Sequence, residues 1–376
     1  MCGISGFMVR SNKSNRSLEG VAQSLRAMAH RGPDDAGIVS FAQNGNHFEI
    51  RPRTSASSLQ SQFAKVALGH VRLSILDLSD LGHQPMCYED RYWLTYNGEV
   101  YNYLELRAEL QSLGHSFQSN TDSEVILATY KQWGIDCFHR FNGMWGLAIY
   151  DCRNDELVVA RDRFGVKPVY YAEFSWGWAF ASEIKGLLSY LDETPRLNLQ
   201  KLAEYFATGA PSHDENSMFL GIHQLLGGWY MRINNTGCVL KQWYSLYAKH
   251  RHYQQAPSDA DASETLRTLL TDAVKIRLRS DVPVGACLSG GLDSSTIVML
   301  TSDARSKQNG TPVQTFTYSA KSSLVDETRY ATIVANAANT NAHFTSLDPD
   351  RFFEDLEKFI WHHDEPVKGP SMYAQW

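Results

Sequence analysis

The sequence predicts two α/β domains, a layered α+β domain first and a parallel, doubly wound sheet second. Three observations carry this. The 376 residues exceed one typical domain, and with 43% hydrophobic and 20% charged residues they can build two cores. Up to about residue 190, short apolar strands follow one another with few helices between them, as in two stacked antiparallel sheets covered by helices. From 259 onward strands and helices alternate, as in a parallel sheet.

Composition narrows the function classes. A formal net charge of −6 argues against nucleic acid or an anionic membrane as the main partner. No apolar run reaches membrane-span length, and the N-terminus has neither a basic region nor a long apolar segment, so no membrane or exported protein is expected. The cysteines, Cys2, Cys87, Cys137, Cys152, Cys238 and Cys287, show no CxxC spacing, which fits a reducing cytoplasm rather than disulfides or zinc.

Taken in order, a strand over 3–9 is followed by Leu18, Val21, Ala22, Leu25 and Met28 at helical spacing, ended by Gly32-Pro33. The stretches 37–42 and 47–51 flank an Asn44-Gly45 turn as a hairpin, and 53–62, rich in Ser and Gln, reads as a surface loop. Residues 65–76 form an apolar strand interrupted by His70 and Arg72; the Arg needs an anion, either a ligand or an internal partner such as Asp77 or Asp80. A strand over 92–96 runs into Asn97-Gly98-Glu99, then a helix over 102–113 closes at Gly114. Because no second strand follows, Asn97 and Gly98 read less as a hairpin turn than as an amide donor beside a closely approachable backbone N–H, the two parts of an oxyanion hole. Thr121 to Glu124 fits a capping box ahead of a helix ending at Gly134; Asp122 serves either that cap or a substrate ammonium. Strands over 144–151, 156–162, 167–172 and 177–182 and a short helix over 182–190 complete the run.

Beyond it come a capped helix over 198–206, a hairpin of 229–233 and 239–244, and a polar linker over 249–258. A helix marked by Leu266, Leu269, Leu270, Ala273 and Ile276 precedes a strand over 282–288, the loop Ser289-Gly290-Gly291-Leu292-Asp293-Ser294-Ser295 and a helix over 296–304. Strand, helix and strand then repeat over 313–318, 327–338 and 342–347. A glycine-rich loop feeding a helix gathers backbone N–H groups and the helix dipole at one point, which suits a pyrophosphate. Asp293 beside a phosphate implies a bridging Mg²⁺. No GxxxxGK[ST] is present, so this is not the Walker loop.

Cys2 is the residue around which the rest makes sense. Removal of Met1 leaves a thiol and a free α-amine on one residue, a nucleophile with its own base; on position alone the favoured reading of Cys2 is a small apolar residue opening a strand, and the motifs downstream reverse it. The ordered set MCGISGF, HRGPDDAG, GHVRLSILD, HQPM, YNGEVYN, TDSEVIL, FNGMWGLAIYD, RDRFGVKPVYY and SEIKGLL, spanning about 1–188, resembles the class II glutamine amidotransferase domain of asparagine synthetases. SGGLDSS resembles the PP-loop of ATP pyrophosphatases, and its place after such a domain is that of an asparagine synthetase.

The resemblance implies an N-terminal-nucleophile αββα sandwich over 2–220, a connecting hairpin and linker over 221–258, and a PP-loop synthetase domain over 259–376 that stops short of the family's second phosphate motif and a later Lys. Carried over residue by residue, it implies Cys2 as nucleophile, Asn97 and Gly98 as oxyanion hole, Arg72 on the glutamine α-carboxylate with Leu73, Ser74, Ile75 and Leu76 beside it, and Glu99 and Asp122 on the amino end. It also implies ATP contacts at Cys287, Ser289, Gly290, Gly291, Asp293, Ser294, Ser295 and Tyr318, with Asp293 toward Mg²⁺. Asp326-Glu327 resembles an acidic pair near that site, or serves as helix N-terminal carboxylates. Two departures are small: TDSE where the family often has SDTE or SDCE, and Gly227-Gly228 where it has Pro-Gly. The implied chemistry is glutamine hydrolysis with internal transfer of ammonia to an acyl-adenylate of aspartate, or of a sugar or peptide carboxylate; a non-catalytic regulator is the contrasting reading. A homodimer fits, and a truncated second domain is expected to expose apolar sheet surface and to aggregate.

Overall fold

The computed structural model describes residues 1–376 except 11, 12, 14, 44, 51–61, 210–213, 250–257, 308–309, 321–325 and 368–370. The expected surface loop at 53–62 and the linker at 249–258 fall almost wholly outside the described residues. The chain divides into two compact units, Met1–His250 and Arg251–Trp376.

The first unit opens with β1 (Gly3–Val9), β2 (Arg16–Ser17), α1 (Glu19–Ala27), β3 (Asp35–Phe41), β4 (His47–Ile50), β5 (Phe63–Ala64) and β6 (Val66–Arg72). It continues through β7 (Met86–Tyr88), β8 (Tyr92–Val100), α2 (Tyr103–Ser112), α3 (Asp122–Trp133), β9 (Gly143–Asp151), β10 (Glu156–Arg161), β11 (Tyr170–Phe174) and β12 (Gly177–Ala181). It closes with α4 (Ile184–Leu188), α5 (Leu199–Thr208), β13 (Ile222–Gln224), β14 (Trp229–Asn234), β15 (Gly237–Gln242) and α6 (Leu246–Lys249).

Two antiparallel sheets form the body, seven strands in the order β13-β11-β12-β1-β6-β3-β4 and six in the order β15-β14-β10-β9-β8-β7. Strand alternation explains how they stack. In β1, Ile4 and Met8 join Leu68, Trp93, Val159, Phe180 and Met231 in the core between the sheets. Phe7 and Val9, pointing the other way, pack with Val21, Leu25, Met28 and Leu187 of α1 and α4 and the residues beside them. On the outer face of the second sheet, Leu94, Tyr96 and Val100 of β8 meet Leu106, Leu110, Val125 and Ala128 of α2 and α3. Helix, sheet, sheet and helix therefore stack as the αββα sandwich that the resemblance implies.

Three expectations are corrected. The strand expected to end at Tyr96 continues to Val100, because Asn97 and Gly98 pair with Gly146 and Trp145 of β9. The hairpin 229–242, assigned to a connector, extends the six-stranded sheet, where β14 pairs with β10 through Leu157, Val158, Val159 and Ala160. A strand expected from 167 begins at Tyr170, since 162–167 wraps the Asp162 carboxylate instead.

The second unit carries α7 (Asp259–Arg277), β16 (Gly285–Cys287), α8 (Leu292–Ser306), β17 (Gln314–Tyr318), α9 (Thr328–Ala337), β18 (Asn341–Thr345), α10 (Pro349–His363) and α11 (Ser371–Gln375). β16, β17 and β18 are parallel neighbours, as the strand and helix alternation predicts. Here too the boundaries move. β16 has three residues rather than seven, and α8 starts at Leu292, so Asp293, Ser294 and Ser295 lie in its first turn rather than in the loop.

Candidate active site

Parity and register bring the first site together. Cys2 lies one residue before β1, next in phase with Ile4 and Met8, on the side that faces the second sheet. Arg72 ends β6 on the same parity as Val66 and Leu68, and Asn97 lies on β8 on the same parity as Trp93. Residues from three strands of two sheets thus turn their side chains toward one another. They line a cavity of about 60 Å³ with Leu73, Ile75, Leu76, Gly98, Glu99, Asp122 and Lys167, and with Met1. Ser74 is not among the lining residues; its N–H is held by Asp34 Oδ2 at 2.7 Å.

The Cys2 sulfur accepts from the Leu73 N–H at 3.3 Å and lies 3.5 Å from the Leu73 carbonyl. Its own carbonyl accepts from Arg31 Nε at 2.8 Å, and Arg31 Nη1 donates in turn to Glu183 at 2.6 Å. Burial pushes the Cys2 thiol up; the Leu73 N–H, the chain amine and the Arg72 and Lys167 charges pull the other way. Burial pushes the Met1 amine down, with Arg31 and Lys167 in the same direction and Cys2 and Asp34 opposing.

Asn97 is 1% exposed and its Nδ2 has no hydrogen-bond partner. A buried donor left unmade costs about 1–3 kcal/mol, and this one belongs to a residue that lines the cavity. Beside it Gly98 admits no side chain, since a Cβ would stand 2.3 Å from the Met144 carbonyl oxygen.

Arg72 is buried, and its guanidinium donates to the backbone carbonyls of Ser79 at 3.1 Å, Leu76 at 3.2 Å and Asp77 at 2.5 Å. These bonds close the 76–79 loop around the cation. A guanidinium has five N–H donors, so this leaves donor capacity on a cation that also lines the cavity.

Asp122 accepts from the Tyr96 hydroxyl at 2.8 Å and the Val100 N–H at 2.9 Å, and burial pushes its carboxyl up against those bonds. The expected capping box is only half present. Thr121 caps α3 through the Ser123 N–H at 3.1 Å, whereas Glu124 turns back to the N–H groups of Gln118 and Ser119. Asp122 also accepts from the Thr121 hydroxyl at 3.3 Å, and its side chain lines the cavity rather than capping the helix.

Sequence reasoning missed Lys167, Gln84, Thr121 and Ser123 as lining residues, and Arg31 as the support of Cys2. A signal existed for Lys167, a lone Lys between Val166 and Pro168 within the RDRFGVKPVYY motif.

In the second unit the 288–291 turn joins β16 to α8 at the carboxyl edge of the parallel sheet, where open α/β sheets bind ligands. Gly290 has φ +89°, and a Cβ there would meet the Ala331 nitrogen at 2.6 Å. Ser289 and Ser294 hydroxyls bond each other at 3.0 Å, holding the turn shut, while Ser295 Oγ is buried without a partner at the head of α8. Cys287 is on β16 and Tyr318 ends the neighbouring β17, both exposed on their side chains' side of the sheet. Asp293 is exposed, and among the described residues no three His, Cys, Asp or Glu converge as a metal site. That donor set fits Mg²⁺ only as a nucleotide brings it, with one carboxylate and phosphate oxygens sharing the ion. Asp326 accepts from the Thr328 N–H at 3.1 Å, which is the helix-end role of the two considered.

Residues 1–244 match the family model of the glutamine amidotransferase domain and residues 265–376 that of asparagine synthase. A Methanocaldococcus jannaschii protein provisionally named as a glutamine-hydrolysing asparagine synthetase is 36% identical over 97% of this chain and 68% of its own length. Asparagine synthetase [glutamine-hydrolyzing] 1 of Bacillus subtilis is 30% identical over 99% of this chain and 54% of its own length. A Penicillium rubens protein named amidase chyE is 29% identical over 98% and 54% respectively. The chain thus spans between about half and two thirds of the length of these relatives. With a glutamine amidotransferase domain ahead of an asparagine synthase domain, and an αββα sandwich whose cavity gathers Cys2, Arg72, Asn97 and Asp122, the chain belongs to the family of glutamine-hydrolysing asparagine synthetases.

Proposed function

We propose that this chain hydrolyses glutamine at Cys2 and passes the ammonia to a carboxylate activated by ATP, with aspartate as acceptor and asparagine as product. One observation supports the first half above all: a sulfur, a buried amide with no partner, a cation and a carboxylate line one cavity. In this reading Met1 is removed, which also enlarges the cavity it now lines. The freed α-amine takes the thiol proton, sulfur bonds to the glutamine amide carbon, and the oxygen gains charge against Asn97 Nδ2 and the Gly98 N–H. Collapse breaks the C–N bond as the α-ammonium returns the proton to the leaving nitrogen, and water then resolves the thioester to glutamate. Arg72 faces the α-carboxylate, and Glu99 and Asp122 the α-ammonium.

In the second unit the 288–291 turn and the head of α8 would hold the ATP phosphates, with Cys287 and Tyr318 beside the nucleoside; Ser295 Oγ is the donor without a partner there. Asp293 would share Mg²⁺ with those phosphates, where the ion offsets phosphate charge. Attack of the acceptor carboxylate on the α-phosphate expels pyrophosphate, and ammonia displaces AMP from the acyl-adenylate. The six cysteines are all free, which fits the cytoplasm as the working compartment.

Glutamate release from glutamine by the wild-type chain, lost in Cys2→Ala, tests the first half. Pyrophosphate release with MgATP and glutamine, with and without aspartate, tests the second. Aspartate-dependent pyrophosphate matched by asparagine is the expected result. Glutaminase without it moves the acceptor to another carboxylate, a reading given some weight by the relative named as an amidase. Equal rates in wild type and Cys2→Ala would leave a non-catalytic role.

A further inference from the structure

The cavity holds one ionisable group that the mechanism above leaves without a task. Lys167 is 7% exposed and lines the cavity together with Cys2, Asn97, Gly98 and Glu99. Its backbone is pinned from both ends. The Lys167 N–H donates to Asp162 Oδ2 at 3.0 Å and its carbonyl accepts from Arg161 Nε at 2.6 Å. The Asp162 carboxylate also accepts from the N–H groups of Phe164 and Val166, each at 3.0 Å, and of Trp145 at 3.1 Å. Trp145 is the residue of β9 that pairs with Gly98. One buried carboxylate therefore fixes both the loop that presents Lys167 and the strand that backs the oxyanion-hole residues. A long, flexible side chain is buried at a cost in rotamer freedom and desolvation, so its retention in the cavity wall requires an explanation.

We propose that Lys167 is a positioning residue of the glutamine-hydrolysing site, setting a fixed positive charge against the sulfur and the amino end of Cys2. This rests on Cys2 being the nucleophile. The charge acts on two groups in the same useful direction. Beside a cation, a thiol ionises more readily and an amine gives up its proton more readily, so the base is kept neutral while the sulfur is kept anionic in character. The groups facing this pair are Arg31 and Arg72, which act with Lys167, and Asp34 and Glu99, which act against it. Glu183 holds Arg31 from behind, at 2.6 Å, and Asp162 lies at the base of the Lys167 loop. Burial lowers the affinity of Lys167 itself for its proton, and the Glu99 charge, on the wall of the same cavity, is the main influence opposing that.

The test uses the full chain as wild type, Lys167→Met and Lys167→Arg, with intact N-terminal mass showing Cys2 as the first residue and a thermal melt showing folding. Two readouts are taken against pH: kcat/KM for glutamine hydrolysis, and the rate of iodoacetamide alkylation of Cys2 followed on the N-terminal peptide, so that the other cysteines do not contribute. Loss of the charge is expected to move the acid limb of kcat/KM to higher pH by about one unit and to slow Cys2 alkylation at pH 7 roughly tenfold. Lys167→Arg is expected to keep the wild-type limb. An unmoved limb and alkylation rate in Lys167→Met would overturn the proposal, as would an equal displacement in Lys167→Arg, which would assign the effect to shape. If Lys167→Met does not melt cooperatively, Lys167→Gln takes its place in the same comparison. Wild-type chain that is processed yet hydrolyses no glutamine would instead remove the underlying reading of Cys2.

Discussion

At the scale of the residue, the clearest feature is a buried polar group to which the protein gives nothing to bond. Asn97 Nδ2 is such a group, and removing it while keeping the strand isolates what it does. If Asn97 serves the oxyanion as proposed, Asn97→Ala is expected to lower kcat for glutamine hydrolysis by ~10²–10³-fold with little change in KM, because such a donor acts on charge that exists only in the transition state. A comparable rise in KM with kcat intact would assign Asn97 to substrate binding. Part of this was legible beforehand. Asn-Gly after an apolar strand suggested a donor beside an open backbone, but the strand was expected to stop there, and it continues. Pairing with Gly146 and Trp145 lies about 48 residues away in sequence, and no local pattern carries it. Arg72 shows the same limit from the other side. Its need for anionic partners could be read from the sequence, but carbonyl oxygens of the following loop supply them rather than the carboxylates first considered.

At the scale of the element, the site depends on where helices and turns begin. Thr121 is the N-cap of α3, and Thr121→Ala is expected to cost about 1 kcal/mol in urea unfolding. Because Asp122 follows immediately, the same change is expected to raise KM for glutamine; unaltered KM would mean that the Tyr96 and Val100 bonds hold Asp122 without the Thr121 hydroxyl. In the second unit, Gly290 occupies a left-handed conformation with no room for a Cβ. Gly290→Ala is expected to weaken ATP binding roughly tenfold or more, from strain of about 1–2 kcal/mol plus the clash, while leaving glutaminase activity as it was. Equal ATP affinity by calorimetry would show that the turn does not meet the phosphates. That α8 begins four residues earlier than periodicity suggests follows from the same turn. The Ser289 and Ser294 hydroxyls bond across it and let the helix start at Leu292.

At the scale of the whole molecule, acid stability and association follow from what each unit buries. His70 is fully buried between the sheets, its Nε2 3.1 Å from the Tyr96 carbonyl oxygen, and burial lowers its pKa to about 3. Between an unfolded value of 6.5 and about 3, the unfolded chain binds a proton there that the folded chain does not. Stability therefore falls as pH drops through that window, by at most ~1.4 kcal/mol per unit. His70→Gln is expected to lose less stability than wild type between pH 7 and pH 5 in urea titrations, and an identical loss would show that His70 takes no part. The second unit leaves Leu292 89% and Phe353 76% exposed, with Phe316, Phe344, Tyr330 and Ile360 also open. The chain is expected to self-associate through these surfaces and to bind an apolar dye; a monodisperse, dye-silent preparation in light scattering would contradict this.

The sequence by itself determined what depends on a few neighbouring residues: strand and helix types, the side of each strand that is apolar, and an ordered set of motifs that identifies the family. Arg72 could be picked out because it interrupts an apolar strand, Asn97 because no second strand follows its Asn-Gly pair, and Cys2 because removal of Met1 puts a thiol and an α-amine on one residue. Only the tertiary structure decided that the 229–242 hairpin belongs to the first sandwich, that Glu124 turns away from the cap to Gln118, and that Lys167 lines one cavity with Cys2. Those facts rest on sheet register and on burial by segments far apart in the chain, which a local pattern of charge and apolarity does not encode.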